Sequence, residues 1–197
     1  MGKSIVMDKT QKQLIDTYFR KRKIATEQNE VYEYKGYEIV YALDNDIPIN
    51  LNKVSNHQIA IILGKQPSLI NKFDLSKLDG DNINVILNNQ PSLIDKFDLD
   101  GLNGYDIATI LGDQPQLINK FDLSKLDRQD FAYILRKQPQ FADRFDLNKL
   151  NGGYIAHILG KQPSLVDKFD LSKLDGNNIA KILKYQPQLE KYFKGIY

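Results

Sequence analysis

Cysteine is absent from the 197-residue chain. Disulfides, thiolate metal sites and a cysteine nucleophile are therefore excluded, and a reducing compartment is the natural setting. Histidine is nearly as scarce, with only His57 and His157, and neither stands beside a serine that it could activate. Neither sign of charge dominates: 27 basic residues face 25 acidic ones, for a net charge of +2. No global field then points to nucleic acid, a membrane surface or an acidic substrate. No apolar run approaches the ~20 residues of a membrane span, and the N-terminus lacks a signal-peptide core. The start MGKSIV also fails as a myristoylation signal, because Val6 stands where Ser or Thr is required. A cytoplasmic protein is expected, in the host cytoplasm if it is viral.

What the chain does have is a beat. The pair Gln-Pro recurs at 66–67, 90–91, 114–115, 138–139, 162–163 and 186–187, a period of 24 residues without insertion or deletion. A strict period in this range marks a unit stacked on copies of itself. The copies are 55–78, 79–102, 103–126, 127–150, 151–174 and 175–197, preceded by a half-repeat at 49–54, INLNKV. Within each copy apolar residues fall at the fifth, eighth and ninth positions, as in Ile83, Ile86 and Leu87. That spacing predicts a helix of about 9 residues with one buried stripe. Proline ends this helix and suits the first position of the next, so Pro91 to Phe97 reads as a short second helix. The Asp-Leu-Ser-Lys-Leu that follows in three copies, and Asp98 to Leu102 in another, suits a single 3₁₀ turn.

Residues 1–48 do not repeat and read as an N-terminal α+β cap. Asp8 to Lys23 carries a one-sided apolar stripe, Leu14, Ile15, Tyr18 and Phe19, and predicts a helix. Val31 to Tyr41 is rich in β-formers and breaks at Lys35-Gly36, which predicts a hairpin. At the far end Glu190 and Lys194 replace residues that other copies fill with Ile, Val or Ala and with Asp. Polar substitution on an outer face is what a terminal copy requires. The expected fold is mainly α: a right-handed α-solenoid of about six helix–turn–helix repeats over 49–197, complete, capped at both ends and monomeric, with Ile196 and Tyr197 folding back over the last helix.

The 24-residue unit, with a helix ending before Gln-Pro and a brief second segment, resembles the leucine-rich variant type of repeat over residues 55–197. It is similar also to short-repeat proteins of bacteria and their phages. The resemblance implies an α-helical solenoid and no particular activity. That family's usual Asn-Pro is Gln-Pro here, its Arg-rich helix is missing, and its iron–sulfur chemistry has no cysteines to hold it.

Several columns invite a functional reading that stacking explains better. The glutamines preceding each proline fall beside the buried stripe and predict an internal amide ladder. The phenylalanines Phe73, Phe97, Phe121, Phe145, Phe169 and Phe193 predict a core spine. Lys72, Lys96, Lys120, Arg144 and Lys168 form a basic row, Lys77, Lys125, Lys149 and Lys173 another, and Asp74, Asp98, Asp122, Asp146 and Asp170 an acidic one. Rows of opposite sign largely neutralise each other. Even so, the first basic row and the run Arg20, Lys21, Arg22 and Lys23 define an alternative site for RNA or single-stranded DNA. Ser68, Ser92 and Ser164 sit in the first turn of the second helix, where a hydroxyl caps or faces water. The stretch Asp98 to Asp106 fails as a calcium loop, because Leu102 takes a ligand position and Asn103 displaces the glycine. No enzyme, cofactor or metal is expected.

The positions that stacking does not dictate lie opposite the apolar stripe. There each copy differs, and the face carries Ile61, Val85, Tyr105, Thr109, Gln129, Tyr133, Arg136, Tyr154, His157 and Lys181. Tyrosine and arginine are the types that dominate protein interfaces. The expected function is non-catalytic binding of one protein partner through this face, as an adaptor or an occluding inhibitor, and in one version a phage or mobile-element product acting on a host machine.

Overall fold

The structure is a computed structural model that describes residues 13, 17, 36–44 and 54–195. The stripe from Leu14 to Phe19, the basic run Arg20, Lys21, Arg22 and Lys23, residues 31–35 and 49–53, and the terminal Ile196 and Tyr197 lie outside the described residues. The chain divides into two compact units, Met1–Lys77 and Leu78–Tyr197. The division thus falls near the end of the first copy, whereas the repeats begin at 55. No strand occurs among the described residues, and no described helix is long and apolar enough to cross a membrane.

In the first unit Gln13 and Thr17 are helical, and the Thr17 hydroxyl donates to the Gln13 carbonyl at 2.7 Å. Helix α1 spans Gly36–Asp44 and α2 spans Asn56–Lys65. The expected hairpin is corrected here: Gly36 to Tyr41, its second arm, is helical. The physical reason is tertiary. Ile39 and Ala42, three residues apart, are fully buried with Ile62 of α2, while Val40, Tyr41, Val54, Leu69 and Phe73 pack around them. A helix gathers Ile39 and Ala42 on one side, whereas a strand would place them on opposite faces. Burial of that stripe overrides the β preference of Tyr, Ile and Val. Helix α2 starts at a capping box in which Ser55 accepts from the Gln58 amide at 3.2 Å and Gln58 accepts from the Ser55 amide at 2.7 Å.

The second unit repeats one design. Helices α3 (Gly80–Asn89), α4 (Gly104–Asp113), α5 (Arg128–Lys137), α6 (Gly152–Leu159) and α7 (Gly176–Tyr185) each pack against the next. Asp79, Asn103, Asp127, Asn151 and Asp175 cap their N-termini, and the cap fixes where each helix starts. The stripe is buried as the spacing predicts: Ile107, Ile110 and Leu111 in α4, Phe131, Ile134 and Leu135 in α5, and Ile155, Ile158 and Leu159 in α6. Each such side chain contributes about 1.5 to 3 kcal/mol of burial.

Helices α3, α4, α5 and α7 stop at Gln, whose φ and ψ leave the helical region as the following proline demands, whereas α6 stops earlier, at Gly160. The second helix is 3₁₀ in every copy but the last, as in Pro91–Lys96 and Pro115–Lys120. Its bonds span three residues, Leu93 to Gln90 at 3.0 Å and Phe97 to Ile94 at 3.3 Å. So short a segment gains little from an α ladder. The extended phenylalanine after it then ends the turn. The closing 3₁₀ turn is present at Leu75–Lys77, Leu123–Lys125, Leu147–Lys149 and Leu171–Lys173. Residues 100–101, where Asp-Gly replaces Ser-Lys, form a plain turn instead. Phe97, Phe121, Phe169 and Phe193 are buried, whereas Phe73 and Phe145 are only half-buried. The last segment ends in α8 (Glu190–Phe193), after which Gly195 takes a left-handed φ of 97°. Glu190 and Lys194 are both exposed.

Candidate functional site

The polar columns are spent on joining copies. Gln138 Nε2 donates to the Gly112 carbonyl at 2.7 Å, Gln162 to Arg136 at 2.7 Å and Gln186 to Gly160 at 3.0 Å. Gln114 reaches the Asn88 carbonyl and side chain, both at 3.3 Å. Each acceptor lies at the C-terminus of the preceding long helix, where carbonyls lack intrahelical partners. The expected glutamine ladder thus satisfies backbone groups at the helix breaks, each side-chain amide bonding a carbonyl of the preceding copy. A second glutamine supports the first in the Gln-Pro-Gln copies, with Gln116 donating to Gln114 at 2.6 Å and Gln140 to Gln138 at 2.9 Å.

The basic rows are engaged in the same way. Lys120 pairs with Asp95 at 2.7 Å and Lys168 with Asp143 at 2.7 Å, while Arg144 donates to Asn119 at 3.2 Å. In the second row Lys125 caps the Asp100 carbonyl and Lys173 the Asn148 carbonyl, each at 2.8 Å. Lys72 and Lys96 are exposed. The acidic row screens the second basic row in part: Lys77 lies 3.5 Å from Asp74, and the hydrogen bonds of Ser124 and Ser172, then the Lys125 and Lys173 charges, lower the Asp122 and Asp170 carboxyls. Asp98, Asp122, Asp146 and Asp170 also cap their own turns, accepting from the backbone amides two residues on. At Asp170 the Ser172 hydroxyl adds a bond at 2.6 Å, and this hydrogen bond is the main reason its carboxyl is held below the usual 3.8. Ser68, Ser92 and Ser164 are all exposed. In the former calcium-loop candidate Asn103 and Asp106 form a capping box. Among the described residues no group of three or more His, Cys, Asp or Glu side chains could hold a metal ion.

On the opposite face the structure gathers six of the ten expected binding residues around one cleft. Tyr105, Gln129, Tyr133, Arg136, Tyr154 and His157, carried by α4, α5 and α6, line a volume of about 310 Å³. Its floor is made by Ala108 and Ala132, which sequence reasoning missed. The signal was present as an alanine at the sixth position of most copies. Only a small side chain there leaves room between neighbouring helices. A second cleft of about 470 Å³ shares Arg136 and His157 and adds Ala156, Gly160, Lys161, Lys181, Lys184 and Tyr185.

Of the remaining expected residues Lys181 lines the second cleft, whereas Ile61, Val85 and Thr109 line neither. Val85 is half-buried on α3, and the Thr109 hydroxyl is spent on the Tyr105 carbonyl at 2.9 Å. Ile61 belongs to the first unit and is half-buried there. Tyr105 is 61% exposed, whereas Tyr133 is half-buried rather than exposed. Two glycines explain how the rings are seated. A side chain at Gly112 would stand 3.0 Å from the Tyr133 ring, and one at Gly160 would touch the Tyr185 ring at 3.9 Å. Lysines cover part of the same rings, Lys137 at 5.1 Å from the Tyr133 centroid and Lys184 at 5.6 Å from that of Tyr185. Lys137 also pairs with Asp113 at 2.6 Å, which raises its pKa.

The one carboxylate at the cleft is Asp130, only 8% exposed. Burial pushes its pKa up, and the adjacent Asp127 charge adds to this, against the Asp127 amide that donates to it at 2.9 Å. Its carboxylate is thus committed to the helix cap. Comparison with protein families, curated proteins and solved structures yields no match to this chain.

Proposed function

We propose that this protein is a non-catalytic helical repeat that binds one protein partner through the outer face of its long helices, acting as an adaptor or as an inhibitor that occludes the partner's own site. The finer architecture belongs to the same reading: a right-handed solenoid, monomeric, with residues 1–48 as its N-terminal cap. The observation that carries it is the convergence of Tyr105, Tyr133, Tyr154 and Arg136 on a single cleft with an alanine floor. Aromatic and arginine side chains around a small apolar hollow are the composition of interface hot spots. Unlike residues at equivalent positions of successive copies give the face one specific pattern.

Affinity capture with the wild type and with a Tyr105→Ala, Tyr133→Ala, Arg136→Ala variant tests the reading. The expected outcome is a partner whose affinity falls at least tenfold with the variant, while its circular dichroism stays that of the wild type. Retention of every partner by the folded variant would overturn it. The nucleic-acid reading is not favoured, because Lys120, Arg144 and Lys168 already have side-chain partners in the neighbouring copy.

A further inference from the structure

The two clefts share Arg136 and His157 and so form one continuous trough from α4 to α7. Its two ends differ in chemistry. Toward α4 and α5 it is lined by Tyr105, Ala108, Ala132 and Tyr133, a largely apolar hollow. Toward α6 and α7 it presents Arg136, Lys161, Lys181 and Lys184, with no carboxylate in the lining. Helices α6 and α7 contain no Asp or Glu at all. Arg136, Lys161 and Lys181 make no ion pair with any described residue. In this they differ from Lys120 and Lys168, which are neutralised by the preceding copy.

From this asymmetry we infer that the trough binds an acidic segment of a partner protein, with an apolar or aromatic side chain seated in the Tyr105–Tyr133 hollow and carboxylates over Arg136, Lys161, Lys181 and Lys184. The inference rests on the protein-binding reading above and adds the chemistry of the partner. Charge complementarity selects the occupant: uncompensated cations clustered at one end of a groove attract the opposite charge and fix its register. Four long helices at roughly 8 to 10 Å spacing give a trough of about 24 to 30 Å. An extended segment of about eight residues fills that length.

A single-stranded nucleic acid carries the same charge but needs open ring faces on which bases can stack. Lys137 and Lys184 lie over the Tyr133 and Tyr185 rings, and both rings also rest against glycines of the preceding copy. These two tyrosines therefore offer edges and hydroxyls to a peptide more readily than faces to a base.

The test uses the full chain and fluorescence anisotropy with three labelled probes: a peptide of Trp-Phe followed by a run of glutamates, the same peptide with Trp-Phe replaced by Gly-Gly, and oligo-dT. Saturable binding of the first peptide is expected, weakened about tenfold or more by Lys181→Glu with Lys184→Glu, and also weakened by loss of the aromatic pair. The same charge change made at Lys96→Glu with Lys149→Glu, outside the trough, is expected to leave it within twofold. Absence of saturable peptide binding overturns the inference, as does equal loss from both lysine pairs, which would mean diffuse attraction. Tighter binding of oligo-dT than of the peptide, dependent on Lys181 and Lys184, overturns it in favour of nucleic acid. Failure here alongside a partner lost from the Tyr105, Tyr133 and Arg136 variant would sink the acidic segment and leave the protein-binding face standing.

Discussion

A methyl group added at Gly152 should destabilise the second unit, and the same group at Gly176 should not. The two glycines hold the same place in successive copies, the first turn of α6 and of α7. A Cβ at Gly152 would lie 2.2 Å from the Lys173 carbonyl oxygen and 2.9 Å from the Asn178 amide nitrogen. An ordinary contact needs roughly 3.5 Å, so more than an ångström must be found. The obstacle is backbone, held by the turn in which Leu174 bonds back to Leu171 at 3.1 Å. Overpacking of this kind costs about 1 to 3 kcal/mol, offset by up to ~1 kcal/mol from replacing glycine by alanine in a helix. At Gly176 nothing lies within 4 Å, so only the favourable part remains. The favourable part is common to both, so the expected gap between Gly152→Ala and Gly176→Ala is about 1 to 3 kcal/mol. For a chain of this size that is roughly 2 to 12 °C in midpoint.

Thermal unfolding followed by far-ultraviolet circular dichroism measures the gap. Midpoints are the proper comparison, because repeat arrays do not always unfold as one unit. Gly104→Ala, which would meet the Lys125 carbonyl at 2.6 Å and the Asp130 carboxylate at 2.3 Å, should behave like Gly152→Ala. Gly80→Ala should destabilise as well: the Asp106 carboxylate can rotate away at the cost of its cap, but the Asp106 Cβ at 2.7 Å is fixed by the backbone. A Gly152→Ala protein as stable as Gly176→Ala would refute the close approach between copies.

Gln138→Ala removes the 2.7 Å bond to the Gly112 carbonyl and leaves that acceptor without its partner. A loss of about 1 to 2 kcal/mol is expected, with faster amide exchange at the end of α4 as the local readout. Asp170 should titrate below 3.8 by carbon-detected nuclear magnetic resonance, and Ser172→Ala should move it upward because the hydroxyl bond is the largest cause. Since the folded value lies below the unfolded one, the stability it contributes is present above pH 3.8 and lost as pH falls through the folded value. Asp130 has the opposite sign. Its carboxyl is raised, so its ionisation opposes folding above the folded value, and Asp130→Asn should flatten the rise in stability as pH falls from there toward 3.8.

Much of this was legible in the sequence because the period aligns like with like. The break at Gln-Pro, the buried Ile and Leu stripe and the outward Tyr105, Gln129, Arg136 and His157 all follow from one copy's internal spacing. Missed features depend on what a column faces one copy away. Gln162 meets Arg136 and Lys120 meets Asp95, partners 26 and 25 residues back, which a 24-residue ruler does not pair. The same holds for the glycines at 80, 104 and 152 and for the alanine floor, whose meaning is the neighbour they admit. Helix α1 failed for a different reason: Tyr, Ile and Val carry a strand preference that Ile39 and Ala42 override only once Ile62 is beside them.

The bonds that join copies also have a direction. Gln114, Lys120, Lys125, Gln138, Arg144, Gln162, Lys168 and Lys173 all donate from a later copy to an acceptor in the one before. Among the described residues a 3.5 Å contact from Asn88 to Asp113 runs the other way. During synthesis a ribosome therefore releases the acceptors first, as carbonyls and carboxylates that water can satisfy. Each newly emerged copy then arrives carrying the donors that fasten it to a predecessor already in place, so growth of the chain and growth of the stack proceed in the same sense.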